Sequence, residues 1–306
     1  MLKLMHIEFY KLRRRWLPWV MLLILLAFIV LMKVGPFSAY LQNRDNPQGA
    51  QPPITVTQQS PSGPVVTVTV NPGAPSPGTD YAPGYVSELA LPDSMRSVLV
   101  ALSTFGAVLA LIFTAMMLGS EYTWGTLRQT LIKGISRPRF LTAKYLTLAI
   151  IIIAGVLTAV VFGFLLSMAT TQIVTGGIDW SFMSLGYIGS LLGEMARIAL
   201  IFAVYVALAA LLSVFFRSAA TGMALGIGAY FVDTILMQVL TNASTFFRNL
   251  SHFSISYNVQ QLSAIFANVG ATDVRPVWQS AGILGVWAVI FVVLAYFALR
   301  RQDLTA

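Results

Sequence analysis

Gly119-Ser-Glu-Tyr-Thr-Trp-Gly-Thr-Leu-Arg-Gln-Thr-Leu-Ile-Lys-Gly-Ile-Ser-Arg-Pro-Arg-Phe-Leu-Thr-Ala-Lys144 separates two long apolar stretches. It is polar, too short to be a domain, and basic where it leaves for the next apolar run. Ser120 is placed to cap a helix, and Glu121 suits its positive first turn. At 3.6 residues per turn Trp124, Leu127 and Leu131 fall on one face, while Glu121, Gly125 and Arg128 step along another. Gly134 is a stop signal, and Arg137-Pro138 leads into the following run. The pattern predicts a short amphipathic helix lying on a membrane surface between two membrane-crossing helices.

The rest of the chain supports a membrane setting. Hydrophobic residues are 57% of the 306 and charged residues 10%, against about 25% charged in soluble domains; the mean hydropathy is +0.77. Six spans follow, at residues 17–37, 95–118, 140–168, 187–216, 219–240 and 277–299, each near the roughly 20 residues a bilayer requires or longer. The fourth exceeds that length, so its first part is expected at the interface or crossing obliquely. The expected fold is therefore an all-α polytopic membrane protein with six transmembrane helices in one domain, residues 17–306. A separate interfacial helix is expected over residues 1–16, where Leu2, Met5, Phe9, Leu12 and Trp16 recur among Lys and Arg.

The net charge of +8 does not indicate nucleic acid, because the cations sit at the ends of spans rather than along one face. With the N-terminus inside, thirteen of the nineteen Lys and Arg fall on the cytoplasmic side: Lys3, Lys11, Arg13, Arg14, Arg15, Arg128, Lys133, Arg137, Arg139, Lys144, Arg217, Arg300 and Arg301. Only Lys33, Arg44, Arg96, Arg248 and Arg275 fall outside, with Arg197 within or near the bilayer. This bias puts both termini and residues 119–139 in the cytoplasm, and the loops 38–94 and 241–276 outside. The first loop holds ten of the fourteen prolines. Its runs at 54–57 and 65–70 alternate Val and Thr, which suggests a small hairpin set in an otherwise extended, flexible linker. The second loop has a helical stretch near 258–269.

Signatures of an enzyme are missing from the sequence. No Lys precedes Ser or Thr, so there is no Walker A loop. There is no Gly-x-Ser-x-Gly elbow and no cysteine, and His6 and His252 fall on opposite sides of the membrane. No catalytic residue, metal or cofactor is expected. Apart from the cations counted above as flanking the spans, the ionisable groups within the spans are Glu194, Arg197 and Asp233. A charge at the bilayer centre costs roughly 2.5–3.5 kcal/mol on insertion scales. Glu194 and Arg197 are three apart and can pair, either as an interfacial pair or in a cargo or gating site. Asp233 is expected to face a cavity, a dimer seam or the outer interface, again with cargo or gating as the functional reading. The glycine pairs Gly189/Gly193 and Gly222/Gly226 have the spacing of close helix packing.

The order Glu121, Gly125-Thr126, Arg128, then Ser136-Arg137 and Ala143-Lys144 resembles that of type-2 ABC exporter permeases. Glu8-Phe-Tyr-Lys-Leu-Arg-Arg-Arg15 and Phe216-Arg217-Ser218 are similar to segments of the same families, so the resemblance runs over nearly the whole chain. The Pro-rich loop departs from it, being longer and more β-like than in small members. The resemblance implies a coupling helix at 119–134 that contacts a separate ABC ATPase through Glu121, Tyr122, Trp124, Gly125, Thr126 and Arg128. It also implies a second permease subunit, identical or homologous, and a place in the cell membrane among lipids. Two readings from other classes are a membrane-embedded enzyme and a non-transporting sensor or assembly subunit, each with its site in the outer loops.

The topology has a direct check in this Cys-free chain. A cysteine introduced at position 60 is expected to react with an impermeant thiol reagent in intact cells, and one at position 130 to be protected. Labelling at 130 but not at 60 would reject the assignment of sides.

Overall fold

A computed structural model describes residue 10 and residues 16–45, 54–58, 66–70, 86, 88–132, 134–241, 251–267 and 276–302. The helix expected over residues 1–16 lies outside these, apart from Tyr10 and Trp16. Six helices are long and apolar enough to cross a membrane. They are α1 (Trp16–Asp45), α2 (Ser94–Thr123), α4 (Arg137–Thr175), α5 (Leu185–Phe216), α6 (Ala219–Thr241) and α8 (Val277–Arg301). Two shorter helices join them: α3 (Thr126–Ile132) between α2 and α4, and α7 (Ile255–Ala267) between α6 and α8. Strands β1 (Ile54–Gln58) and β2 (Val66–Val70) pair antiparallel with Ile54 opposite Val70 and Gln58 opposite Val66.

All six spans appear where hydropathy puts them, with some ends displaced. The third, α4, is 39 residues long, or about 58 Å at 1.5 Å per residue, so it outreaches the roughly 30 Å apolar layer. The fourth, α5, is one unbroken helix of 32 residues. Its start is fixed by Ser184, whose Oγ accepts the Tyr187 N–H at 3.2 Å, and its end by Arg217 in the left-handed region at φ 53°.

The core is built on α2 and α5, the two spans with most of their apolar window buried, 67% and 61%. Ile198, Ile201, Val204, Ala207, Ala209 and Ala210 of α5 are all fully enclosed, and α5 packs on α8, α2 and α6. Alanine and glycine set how near these helices come, because packing rather than hydrophobic transfer holds helices together in lipid. Of the two predicted glycine pairs, Gly222 and Gly226 are used, lying against Ser213 and Leu111; at Gly189 and Gly193 a Cβ would meet no atom of the described residues within 4 Å beyond its own stretch of helix. A five-residue π-helical segment, Leu102–Gly106, interrupts α2, and its Gly106 lies under the Phe202 ring.

The closest approach links the end of α2 to the start of α6. A Cβ at Gly119 would collide with the Ala219 backbone, which a rotamer change cannot relieve. Gly119→Ala is therefore expected to destabilise the purified protein by about 1–3 kcal/mol. Gly155→Ala is the control, since a Cβ there would meet no atom within 4 Å beyond its own stretch of helix, and it should leave the melting temperature unchanged or raise it. Equal melting temperatures for the two variants would refute the close contact.

Candidate coupling site and the polar ends of the bundle

The contacts among helix ends divide the bundle into two polar regions. One gathers the ends of α2, α5 and α8 with the starts of α4 and α6, and carries Arg137, Arg139, Lys144, Arg217, Arg300 and Arg301. This is the basic end of the bundle. At its centre Lys144 Nζ meets Glu121 Oε1 at 2.7 Å, with side-chain exposures of 2% and 4%. The hydroxyl of Thr126 donates to the other carboxylate oxygen, Oε2. The ammonium also stands 5.5 Å from the centre of the Phe140 ring, one turn earlier on α4. Three elements meet in this contact: α2 supplies the acid, α4 the base and α3 the hydroxyl.

The local chain path differs from the single amphipathic helix predicted from Ser120 onward. α2 does not stop at Leu118 but continues to Thr123. Ser120 is inside it and donates to the Met117 carbonyl at 3.3 Å rather than capping a new helix. The break comes at Trp124 and Gly125, where Gly125 has φ +64°, a conformation that glycine adopts without cost from a Cβ. Glu121 and Arg128 thus stand on different helices and do not step along one face. Trp124 and Leu127 do not share a face either: Trp124 is 62% exposed and Leu127 2%. The side chains of Arg128 and Leu131 lie outside the described residues. Gly134 does follow α3 with φ +82°, and α4 begins at Arg137 with Pro138 in its first turn.

Of the six residues implied for coupling, Glu121, Tyr122 and Thr126 turn toward the bundle and Trp124 and Gly125 outward. The Tyr122 hydroxyl donates to Gln302 Oε1 at 3.2 Å, and Gln302 Nε2 donates to the Val214 carbonyl at 2.6 Å. Arg137 donates to the carbonyls of Leu299 and Arg300 at 3.4 and 2.6 Å. A cation on these terminal carbonyls also complements the dipole of α8. The end of the last span is in this way tied to α2, α4 and α5.

The opposite end has a second buried cation. Lys33 Nζ donates to the carbonyls of Glu88 and Ser94 at 3.1 and 2.5 Å and to Ser94 Oγ at 2.7 Å. Ser94 Oγ in turn donates to Ser167 Oγ at 2.7 Å. The Leu91 N–H donates to Thr171 and Thr170 donates to the Leu89 carbonyl, which fastens the segment before α2 onto α1 and α4. Lys33 and Lys144 carry structural charges that a count of span-flanking cations does not distinguish. The available signal was position, since each lies inside an apolar run.

The three groups read as intramembrane all have polar partners, but only two of them form an ion pair. Arg197 and Glu194 form the predicted ion pair at 2.5 Å, although Glu194 Oε2 is buried without a hydrogen bond. Asp233 is far from them in chemistry. Its Oδ1 accepts from Ser254 Oγ at 2.8 Å and its Oδ2 from the Ser256 N–H at 2.6 Å, so it caps the N-terminus of α7. Among the described residues no group of three His, Asp or Glu is arranged to hold a metal.

The pair at the basic end can be tested by substitution. Lys144→Met leaves Glu121 charged and buried, and should cost about 3–5 kcal/mol of stability. Adding Glu121→Leu should recover most of that loss, because the pair's desolvation cost disappears with it. Thermal unfolding of the two variants in detergent reads the difference; a double variant as unstable as the single one would contradict the pairing.

Comparison with curated proteins gave no match. A family model described as ABC-2 family transporter protein matches residues 2–304. That range takes in every span, the α3 segment and both polar ends. A chain with six membrane-crossing helices that matches over this length belongs to the ABC-2 family of transporter proteins.

Proposed function

We propose that the chain is the membrane subunit of an ATP-driven exporter, in which two permease subunits, identical or homologous, enclose the pathway and a separate ABC ATPase drives it. The observation that carries this reading is α3, a short helix at the basic end joined to α2 and α4 through one buried contact. The sequence offers no loop to cradle nucleotide phosphates, so work must enter through a surface. A helix fixed to the ends of two spans transmits a push to both, whereas a loose loop would absorb it. The basic end faces the cytoplasm of the cell membrane in this reading, with both termini on that side.

Within the coupling segment the roles divide. Glu121 and Thr126 hold the helix in position from behind. Trp124 and Gly125 are exposed and form the side offered to the ATPase, and Arg128, implied by the resemblance, is assigned to the same contact. Replacing Trp124 with Asp and Arg128 with Glu together should leave the subunit folded in the membrane while the ATPase no longer co-purifies with it. Full co-purification with cargo-stimulated hydrolysis in that double variant would refute the assignment.

A further inference from the structure

Asp233 does more than a cap requires. An uncharged Asn or Ser accepts the same N–H bonds as well as Asp does, and Asp adds a charge that is expensive at membrane depth. It stands fourteen residues after Ala219, the first residue of α6, or about 21 Å along the helix. The α7 terminus offsets only about half of a unit negative charge. Ser254 and Ser256 contribute neutral donors, and no Lys or Arg among the described residues pairs with it.

The carboxylate opens into a cavity of about 190 Å³ between α5, α6, α7 and α8. Four aromatic rings line it, Tyr205 from α5, Tyr230 from α6, and Trp287 and Phe291 from α8, alongside the aliphatic Leu208, Ala229 and Ile255. Tyr205 and Tyr230 stand 5.3 Å apart at 58°, and Trp287 and Phe291 5.3 Å apart at 32°. Tyr205 and Phe291 are buried and form the back; Tyr230, Trp287 and Asp233 are half-buried at the mouth. Trp287 is fixed by its indole N–H, which donates to the Phe253 carbonyl at 2.9 Å. On the other side of Trp287 runs a wider apolar hollow of about 670 Å³, between Phe253 and Trp278.

We infer that this cavity binds the ammonium head of an amphiphilic organic cation, with Asp233 as counter-charge and the four aromatic rings as walls. Aromatic faces attract a cation through their quadrupoles, most strongly where water is excluded. A trimethylammonium group suits them better than a bare metal ion, since it is large, weakly hydrated and apolar at its surface. An apolar arm on the same molecule can cross Trp287 into the adjoining hollow. The head could belong to a soluble amphiphile or to a choline lipid, and the chemistry of the site is the same for both. That the bound cation is cargo rests on the exporter reading above; that it binds does not.

The test uses the full-length protein in nanodiscs of phosphatidylglycerol, without an ATPase, titrated with benzyltrimethylammonium and followed by tryptophan fluorescence. Saturable binding is expected, weakened about tenfold in Asp233→Asn and in Tyr230→Leu, and nearly unchanged in Tyr230→Phe. Asn retains the oxygen that caps α7, and the Tyr230 variants leave the cap untouched, so loss of folding in one arm does not remove the other. Phosphatidylcholine added to the nanodiscs should compete if the natural ligand is a lipid headgroup, and leave binding unchanged if it is a soluble cation. Absence of saturable binding, or equal affinity in wild type and Tyr230→Leu, would overturn the proposal. Binding by a chain that recruits no ATPase would refute the exporter reading and leave this site intact.

Discussion

Glu121 and Lys144 meet where neither can reach water, one at the end of α2 and the other inside α4. Either charge alone would be untenable there, so the two helices must hold one register and one separation for the ends to pair. The hydroxyl of Thr126 occupies the second carboxylate oxygen, which brings the start of α3 into the same constraint. A buried ion pair is weak evidence for stability, because desolvation cancels much of its attraction. What it provides at this place is geometry: the start of a short helix is fixed to the two spans behind it. Gln302 and Arg137 extend the constraint to the last span, so that the ends of α2, α4, α5 and α8 form one connected polar layer.

The opposite end is built by a different means. Lys33 is held by backbone carbonyls and a serine hydroxyl instead of an acid, and Asp233 is offset in part by the terminus of a helix. Between the two layers the helices meet mainly through Ala, Gly, aliphatic and aromatic side chains, whose contacts are largely free of directional bonds. Such an interior allows small shifts of one helix over another, while the polar layers keep the ends together. A transporter needs both properties, since access must change without the subunit coming apart.

Most of the span plan was legible from composition alone. Long apolar runs bounded by charge leave few alternatives, and all six fell in place within a few residues at most ends. The boundary at Trp124-Gly125 was not legible, because an acid such as Glu121 suits the first turn of a new helix better than the last turn of an old one. Only the depth of Lys144 in the next span decides between them, and that is a contact across 23 residues. Counting Lys144 with the topology-setting cations hid it. The Glu194–Arg197 pair was readable because both members are on one turn of one helix. The partners of Asp233 were not, since Ser254 and Ser256 come from a loop that only the folded chain brings to α6. The alternating Val and Thr runs did give a hairpin, with strands shifted by one residue from the predicted limits.

In the function proposed above, α3 receives work from an ATPase and passes it to the spans it is tied to. Gln129 on α3 is exposed and takes no part in the buried contact, so a photo-crosslinking side chain there samples whatever covers the helix. In intact cells it should form a covalent adduct with an ATP-binding-cassette subunit, while the same probe at Ser181, in the connection between α4 and α5, should not. Adducts at Gln129 with lipid alone, or an ATPase adduct at Ser181 instead, would contradict the account.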